Sequence, residues 1–378
     1  MARYRRFTKI FFVLLNSFVA VIFLLSCLAP YLNPKKWWPV SLIGLGFAFI
    51  IVTLIAFIFF WLIFRPKWML ISLVSLGIGY QSILVFFGFH IPDKFDYNKP
   101  KDVLRVAHWN VARFVEWKRN NNKGSQTRMK MMDQIKEQNA DVLCIQEFFT
   151  STDPVYYDNL SHIVKELGYP FYYFSYDNDG HLQWTGQIIF SKYPIIDSGI
   201  IRYPKPASPE ALIHADIVFN GDTIRFYTTH LQSVQFEKKD FETIESIKNS
   251  DEKAVKNSRG IFSKLKRGVI NRSGQANIVR EEINKSPHPY ILTGDFNDVP
   301  NSYTYFTIKD DDLQDAFLMR GIGVGKTFSY IAPTLRIDYI FTTKNFSIKQ
   351  FNRIIKNSSD HYMLVTDLQL KKPQAASH

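Results

Sequence analysis

Three long apolar runs that contain no charged side chain lie within the first 90 residues of the chain. They span residues 10–29, 40–64 and 69–89. Each is close to the about 20 residues that a helix needs to cross a ~30 Å hydrocarbon core. A buried helical subdomain is the alternative, but uncharged runs of this length are rare in soluble proteins. We therefore expect residues 1–90 to form a membrane anchor of three transmembrane helices.

The positions of basic residues around these runs predict the orientation of the anchor. Basic side chains precede the first run and lie between the second and third runs, on the same side of the membrane if the chain crosses three times. They are Arg3, Arg5, Arg6, Lys9, Arg65 and Lys67. Lys35 and Lys36 lie in the opposite loop, beside Trp37 and Trp38, which suit an interfacial belt. We expect an integral protein of the cytoplasmic (inner) membrane, with a cytoplasmic N-terminus and an extracytoplasmic catalytic domain.

Composition excludes a disordered chain, because 46% of the residues are hydrophobic. The formal net charge is +12, but residues 1–100 carry ten Lys or Arg against two Asp, which leaves 36 basic and 32 acidic residues for the rest. The part beyond the anchor is therefore only mildly basic, and charge alone is weak evidence for a polyanionic partner. The two cysteines, Cys27 and Cys144, indicate no disulfide framework.

The pattern changes after a polar linker at residues 91–101. Across residues 102–372, short apolar runs alternate with polar helical segments near residues 128–138 and 159–167. The strand-like runs include VLRVAHWNV, ADVLCIQEF, ALIHADIVF, TIRFYTTHL and HPYILTGDF. This alternation predicts a mixed α/β domain, followed by a disordered tail at 373–378. A polar segment at 232–280 is more typical of a solvated helical face than of a substrate contact.

Polar residues recur where the predicted strands end or begin. They are Asn110, Glu147, His230, Asp295, Asn297, Asp338, Asp360 and His361. One such residue is usually a cap or a turn residue. Buried Asp and His side chains cost several kcal/mol unless they are paired or bound to a metal, so their recurrence next to apolar runs favours one shared site.

These residues, in this order, resemble the endonuclease/exonuclease/phosphatase superfamily. The matching pieces are WNV, QE, GQIIFSKYPI, THL, GDFN, RIDYIF and SDH, spread over about residues 103–370. The resemblance implies a four-layered α/β sandwich, in which two packed mixed sheets are flanked by helices. In this chain the sandwich would follow the all-α transmembrane region.

The resemblance also implies a divalent cation, Mg²⁺ or Mn²⁺. Glu147 would be its main ligand, with Asn110 and Asp360 near the metal shell. Such oxygen ligands suit Mg²⁺, which retains several of its waters.

The same resemblance implies the catalytic roles. His361 would be the general base or contact the phosphate, and Asp338 would orient it. Asp295 competes for the role of activating water. Asn297 and His230 would donate hydrogen bonds to the phosphoryl oxygens. Each residue type suits the task, because hydrolysis of a phosphoester needs charge stabilisation and a proton acceptor.

One position departs from the family pattern. Several nucleases of the superfamily carry an acidic residue two positions after the first-strand Asn, where this chain has Ala112. Arg113 follows Ala112, and its side chain is expected either to contact phosphate or to form a surface ion pair.

The function expected from these features is metal-dependent hydrolysis of a phosphoester outside the cytoplasmic membrane, with an endonuclease or other phosphodiesterase as the leading expectation. A sphingomyelinase-like or inositol-phosphate-type headgroup phosphohydrolase is the first alternative, and a catalytically inactive membrane-tethered scaffold is the second. A transporter is disfavoured because the apolar runs contain no Asp, Glu, Lys or Arg of the kind that marks an ion pathway. The expected partners are the phosphoester substrate and the lipid bilayer, and no protein partner is readable.

Overall fold

The computed structural model describes residues 2–91, 93–119, 126–204, 210–248 and 252–371, so the predicted tail at 373–378 lies outside the described residues. The helices are α1 Ala2–Cys27, α2 Pro34–Leu45, α3 Phe47–Phe64, α4 Met69–Ile78, α5 Tyr80–Phe86, α6 Thr127–Gln138, α7 Asn159–Glu166, α8 Lys238–Lys248, α9 Glu252–Ile283, α10 Tyr303–Lys309 and α11 Ala316–Arg320. Short 3₁₀ turns lie at Pro66–Trp68 and Ala112–Phe114.

The strands are β1 Gly88–Phe89, β2 Leu104–Asn110, β3 Val142–Ser151, β4 Phe171–Phe174, β5 Asp177–Gly180, β6 Gln183–Ser191, β7 Ile195–Arg202, β8 Ala211–Phe219, β9 Asp222–His230, β10 Tyr290–Asp295, β11 Leu313–Asp315, β12 Ile322–Gly323, β13 Asp338–Thr343, β14 Phe346–Ile354 and β15 Met363–Leu370. By their internal contacts, the residues form two compact units. The first unit contains Met1–Phe87, Val234–Gly274 and Asp298–Thr307, and the second contains the remaining segments.

The N-terminal helices contain two candidate membrane spans within the described residues, Tyr4–Cys27 and Phe47–Phe64. The third predicted helix is instead a bent pair, in which the segments Pro66–Ile78 and Tyr80–Phe86 meet at 65°. It counts as a third span only if the pair is taken as one. The break lies at Gly79, where an added Cβ would come within 2.5 Å of the Phe23 ring, so the close approach of α1 requires a glycine there.

The polar segment predicted at 232–280 is largely helical, which agrees with the helical interpretation. Its part within the first unit packs on the ends of the N-terminal helices. The ring of Phe262 lies 5.3 Å from that of Trp38, edge to face, and the Lys266 ammonium lies 4.7 Å from the centroid of the Trp38 ring. The Asn301 amide also donates to the Ser26 carbonyl at 2.9 Å. This segment therefore shares its packing with the apolar helices.

The second unit is built on two large mixed sheets. One has six strands in the order β11-β13-β10-β9-β8-β7, and the other has seven, in the order β14-β15-β2-β3-β6-β4 with β5 on β6. Parallel pairs, β2 with β3 and β9 with β10, occur inside otherwise antiparallel sheets. Every strand-like run named above corresponds to a strand, whereas β7 and β14 were not anticipated because their faces are mostly half-buried.

An apolar core joins the two sheets. Val106 and Cys144 from the seven-stranded sheet pack with Ile213, Phe226 and Ile291 from the other sheet. The opposite face of the seven-stranded sheet packs on helices α6 and α7. On the outer face of the six-stranded sheet, the Tyr227 hydroxyl donates to the Glu282 carbonyl of α9 at 3.5 Å. The fold is therefore the expected sandwich of two sheets flanked by helices, with apolar helices at the N-terminus.

The predicted linker is tied to the sheet by Arg105. This buried guanidinium pairs with Asp367, with the Nε atom 2.7 Å from Oδ1. It also lies 4.9 Å from the ring centroid of Phe95 and donates to the backbone carbonyls of Asp96 and Tyr97. Such a buried, fully hydrogen-bonded pair fixes the entry of the chain into β2.

Candidate active site

The side chains that face the space between the sheets change in character along each central strand. On β2, Leu104 and Val106 are followed on the same face by His108 and Asn110. On β10, Ile291 is followed by Thr293 and Asp295 in the same way. Because alternate residues of a strand share a face, the apolar core gives way to ionisable groups at one end of both sheets.

Asp338, His361 and Asp295 form a continuous chain of buried groups in the second unit. The His361 Nδ1 atom donates to Asp338 Oδ2 at 2.9 Å, and its Nε2 atom lies 3.6 Å from Asp295 Oδ2. The Thr327 hydroxyl accepts from the backbone amide of Asp338 at 3.1 Å, and the Trp109 indole donates to the His361 carbonyl at 2.9 Å. The imidazole is therefore held at both its ring and its backbone.

The three groups shift one another's protonation. Burial opposes the charge on His361, but Asp338 and Asp295 outweigh it and raise the pKa of the imidazole to about 10. Burial by itself would raise the pKa of Asp338, yet His361 and His108 lower it. Burial and the Asp338 carboxylate raise the pKa of Asp295. The two acidic neighbours therefore favour the protonated form of His361.

Asn110 connects two of the carboxylates. Its amide Nδ2 donates to Asp295 Oδ2 at 3.1 Å and to Glu147 Oε1 at 3.2 Å. Its carbonyl Oδ1 accepts from the Ala112 amide at 3.1 Å, which sets the orientation of the side-chain amide. Asn110 thus positions Glu147 and Asp295 relative to each other.

Glu147 reaches the site through a β-bulge. The pairing of β3 with β6 shifts register between Ile145 and Phe148, and Glu147 has a φ of +49°. A bulge of this kind redirects a side chain that the regular alternation would place on the opposite face. The carboxylate remains 39% exposed, with Oε1 3.9 Å from His230 Nε2.

His230 ends β9 beside Asp295, with which it is paired in register. Its Nε2 atom lies 3.6 Å from Asp295 Oδ2, and among the described residues this buried nitrogen has no hydrogen-bond partner. A buried nitrogen without a partner is costly, so it indicates a group that the isolated chain lacks.

Asn297 and Asp360 lie at the margin of this cluster. The Asn297 backbone amide donates to Asp295 Oδ1 at 2.8 Å, and its side-chain amide donates to the Leu231 carbonyl at 3.0 Å. Asp360 precedes His361 and accepts from the Ser359 hydroxyl at 3.1 Å. All the predicted site residues therefore lie at one end of the two sheets, although Asn297 already uses one amide hydrogen within the protein.

His108 is a site residue that the sequence interpretation did not include. It is fully buried, and its Nε2 atom lies 3.2 Å from Asp338 Oδ1, the oxygen that His361 does not use. The signal was present in the alternation of β2, because a residue two positions before Asn110 must share its face.

The donor set fits a hard divalent cation. Burial raises the pKa of Asp360, and the nearby Glu147 carboxylate adds to this rise while His361 opposes it. Two neighbouring carboxylates, of which Glu147 is partly open to solvent, are suited to sharing Mg²⁺ or Mn²⁺. Asp295, Asp338 and His361 also place one ligand atom each within 4.8 Å of one another, but the Nδ1 atom of His361 is already hydrogen-bonded to Asp338.

Comparison with known proteins identifies the family of this chain. The sequence profile of the endonuclease/exonuclease/phosphatase family matches residues 107–361, and a profile described as a domain of unknown function (DUF8431) matches residues 8–86. No curated protein matches the chain. The family match covers more than half of the chain and includes every residue of the site.

Among three similar solved structures, the one from Beutenbergia cavernae shows the same fold. An endonuclease/exonuclease/phosphatase from Beutenbergia cavernae is 20% identical with a TM-score of 0.51, covering 72% of this chain and 73% of its own. The human Nocturnin catalytic domain with bound sulfate is 17% identical, with a TM-score of 0.49. The match covers 71% of this chain and 94% of that domain. An endonuclease/exonuclease/phosphatase from Bacteroides vulgatus is 19% identical, with a TM-score of 0.49. The match covers 71% of this chain and 99% of that protein. The chain belongs to the endonuclease/exonuclease/phosphatase family.

Proposed function

We propose that this chain is a membrane-anchored phosphodiesterase that depends on Mg²⁺ or Mn²⁺. One observation carries the proposal: Asp295 Oδ2 lies 3.1 Å from Asn110 Nδ2 and 3.6 Å from the Nε2 atoms of both His230 and His361. Donors and a carboxylate converge around one point, as the hydrolysis of a phosphoester requires. Family membership supports the same reaction class.

Glu147 and Asp360 would hold the cation, and Asn110 would orient Glu147 through its amide. When bound, the ion polarises the phosphoryl oxygens and stabilises the negative charge that develops on them. Glu147 is suited to this role because its carboxylate is partly open to solvent and contacts the site through one oxygen.

Asp295 is our candidate for activating the attacking water. The 3.6 Å separations from its Oδ2 atom to His230 and His361 are too long for direct hydrogen bonds, so neither imidazole Nε2 atom is committed to Asp295. The water would give its proton to Asp295. The Nε2 hydrogens of the two imidazoles and the free amide hydrogen of Asn297 would donate to the phosphoryl oxygens.

Asp338 is a positioning residue. One of its oxygens accepts from His361 and the other faces His108, so the carboxylate fixes the ring and keeps the Nε2 hydrogen directed towards substrate. His361 as the general base is the competing assignment. The contact with Asp338 supports a donor role for His361, because the carboxylate stabilises the protonated imidazole.

The location of the reaction is also part of the proposal. The two candidate spans and the bent pair support a membrane anchor, and the basic residues at positions 3–9 and 65–67 support an extracytoplasmic site by the positive-inside rule. We propose residues 102–372 as the catalytic domain, with the segments at 234–274 and 298–307 packed within the anchor unit.

The test is metal-dependent hydrolysis by the full-length chain in detergent micelles. The full chain is needed because segments 234–274 and 298–307 pack with the N-terminal helices. The substrates are bis-p-nitrophenyl phosphate, plasmid DNA, RNA and sphingomyelin vesicles, each with Mg²⁺, Mn²⁺ or chelator. Turnover that needs the metal and is lost in Glu147→Gln, but kept in Glu166→Gln on the exposed end of α7, supports the proposal. Absence of turnover on all four substrates would favour the inactive scaffold.

A further inference from the structure

A left-handed turn follows Asn110 directly. Ala112, Arg113, Phe114 and Val115 have φ angles between +44° and +64°. Four successive non-glycine residues in this region are unusual, and Val115 is β-branched, which makes its conformation more strained. The turn is fixed at its start by the Val111 amide, which donates to the Gln146 carbonyl of β3 at 3.1 Å. Strain next to a candidate site indicates a geometry that the site requires.

This turn places Arg113 on an aromatic wall, defined here as Trp117 and Phe149. The guanidinium carbon lies 4.4 Å from the Trp117 ring centroid and 5.6 Å from that of Phe149. The two rings are stacked, with centroids 6.0 Å apart and an interplanar angle of 30°. Asp179 on β5 forms an ion pair with Arg113. The surface ion pair left open by the sequence is therefore present, together with a stack that the sequence did not reveal.

The wall lies beside the candidate active site. Phe149 is two residues beyond Glu147 on β3, a separation of roughly 7 Å along a strand. Burial lowers the pKa of Arg113, and the Glu147 carboxylate opposes that shift, so the two charges interact. The guanidinium thus interacts both with the Glu147 carboxylate and with the Trp117 ring.

The wall has unused binding capacity. Trp117 is 42% exposed, although indole is among the side chains that gain most from burial. Among the described residues, the buried Nε atom of Arg113 has no hydrogen-bond partner. An exposed ring and an incompletely bonded cation, side by side, suit a ligand that has both a planar face and an anionic or acceptor edge.

We propose that Trp117 and Arg113 form a subsite for a nucleobase joined to the phosphate that is hydrolysed. This inference rests on the proposed function and narrows its substrate class to nucleotides or nucleic acid. The base stacks on the exposed face of Trp117, and Arg113 contacts its acceptor atoms or the adjoining phosphate. Stacking of this kind tolerates any base, because every base has a π-face. A choline headgroup would bring a second positive charge to a ring that already carries the Arg113 guanidinium, and an inositol headgroup has no aromatic face for the stack.

The first experiment measures binding without turnover. Isothermal titration of the full-length chain in detergent micelles, with chelator present, compares thymidine 5′-monophosphate with ribose 5-phosphate, which carries the phosphate and sugar but no base. We expect the nucleotide to bind at least about tenfold more tightly, ~1.4 kcal/mol. Trp117→Ala should abolish that preference, and Trp117→Phe should retain most of it. Tyr97→Ala removes another exposed aromatic ring from the linker, 52% exposed against 42% for Trp117, and should leave the preference unchanged.

The outcomes separate this inference from the proposed function. Equal affinity of the wild-type chain for the two ligands, or a preference that survives Trp117→Ala, would overturn the nucleobase subsite. Tighter binding of glycerophosphocholine than of thymidine 5′-monophosphate would also overturn it and assign the site to a lipid headgroup. The proposed function is measured separately, by whether wild-type hydrolysis of bis-p-nitrophenyl phosphate is lost in Glu147→Gln.

Discussion

Asp338 and His361 are joined by a hydrogen bond of 2.9 Å between Oδ2 and Nδ1, and the second oxygen of Asp338 lies 3.2 Å from His108. One buried carboxylate therefore interacts with two imidazoles. The arrangement places a negative charge behind the ring whose Nε2 atom faces Asp295, so His361 is both fixed in orientation and favoured in its protonated form.

The first prediction concerns this carboxylate. Asp338→Asn removes the charge behind His361 while keeping its shape, and we expect kcat/KM for bis-p-nitrophenyl phosphate to fall by about 10²–10⁴-fold, as when other imidazoles lose their orienting carboxylate. Asp197→Asn, a change at an exposed carboxylate on β7, is the control. A loss smaller than threefold in Asp338→Asn would show that the positioning role is wrong.

The second prediction concerns His108. His108→Leu leaves one oxygen of a buried carboxylate without its partner, so we expect a loss of about 1–3 kcal/mol in the free energy of unfolding and a fall in kcat/KM. The measurement is a double-mutant cycle with Asp338→Asn. If both residues act through the same contact, His108→Leu should change kcat/KM much less in the Asp338→Asn variant than in the wild-type chain. Additive effects would place His108 outside the positioning network.

The sequence predicted the sheets of the second unit and the residues at their ends, because period-two apolar alternation and ordered motifs are local signals. Asp295 and His230 lie together because they end neighbouring parallel strands of one sheet, and Asn110 ends a parallel strand of the other sheet and donates to Asp295. His108 was missed because His in an apolar run is usually a core residue, and only its contact with Asp338 distinguishes it.

Other features depend on contacts between distant parts of the chain. The 65° bend at Gly79 follows from the packing of Phe23 against it, and hydropathy contains no information on such an approach. The stacking of Arg113 on Trp117 needs four residues with positive φ, none of which is Gly or Asn. Local propensity therefore argues against this turn, and such conflicts are expected at functional sites.

The third prediction concerns the metal. Glu147→Gln keeps an oxygen that can accept from Asn110 but removes the negative charge, so we expect the affinity for Mn²⁺ to fall by at least about tenfold. Mn²⁺ binding is measured directly by electron paramagnetic resonance of the full-length chain, with Glu166→Gln as the control. Unchanged Mn²⁺ affinity in Glu147→Gln would exclude this carboxylate as a main ligand.

The fourth prediction uses two glycines. An added Cβ at Gly294 would meet the Thr229 carbonyl oxygen at 2.6 Å, whereas one at Gly274 would meet nothing within 4 Å. Gly294→Ala should push β9 away from β10 and destabilise the fold by about 1–3 kcal/mol. It should also reduce activity, because Asp295 and His230 are paired at the next position. Gly274→Ala, inside α9, should instead stabilise by about 0.5–1 kcal/mol. Thermal melting in one detergent measures both, and equal melting temperatures would contradict the predicted clash.

The last prediction tests the proposed orientation in the membrane. Cys144 is fully buried and its thiol pKa is raised to about 12 by that burial, so it should not react with a maleimide in the folded chain. In a Cys27→Ser background, Ser198→Cys then places one reactive thiol on an exposed position of β7. If the catalytic domain is extracytoplasmic, a membrane-impermeant maleimide should label this variant in intact spheroplasts as completely as in lysed ones. The parent without Ser198→Cys should remain unlabelled in both. Labelling that requires lysis would place the site in the cytoplasm, and the distribution of Arg and Lys around the apolar runs would then have misled the assignment of topology.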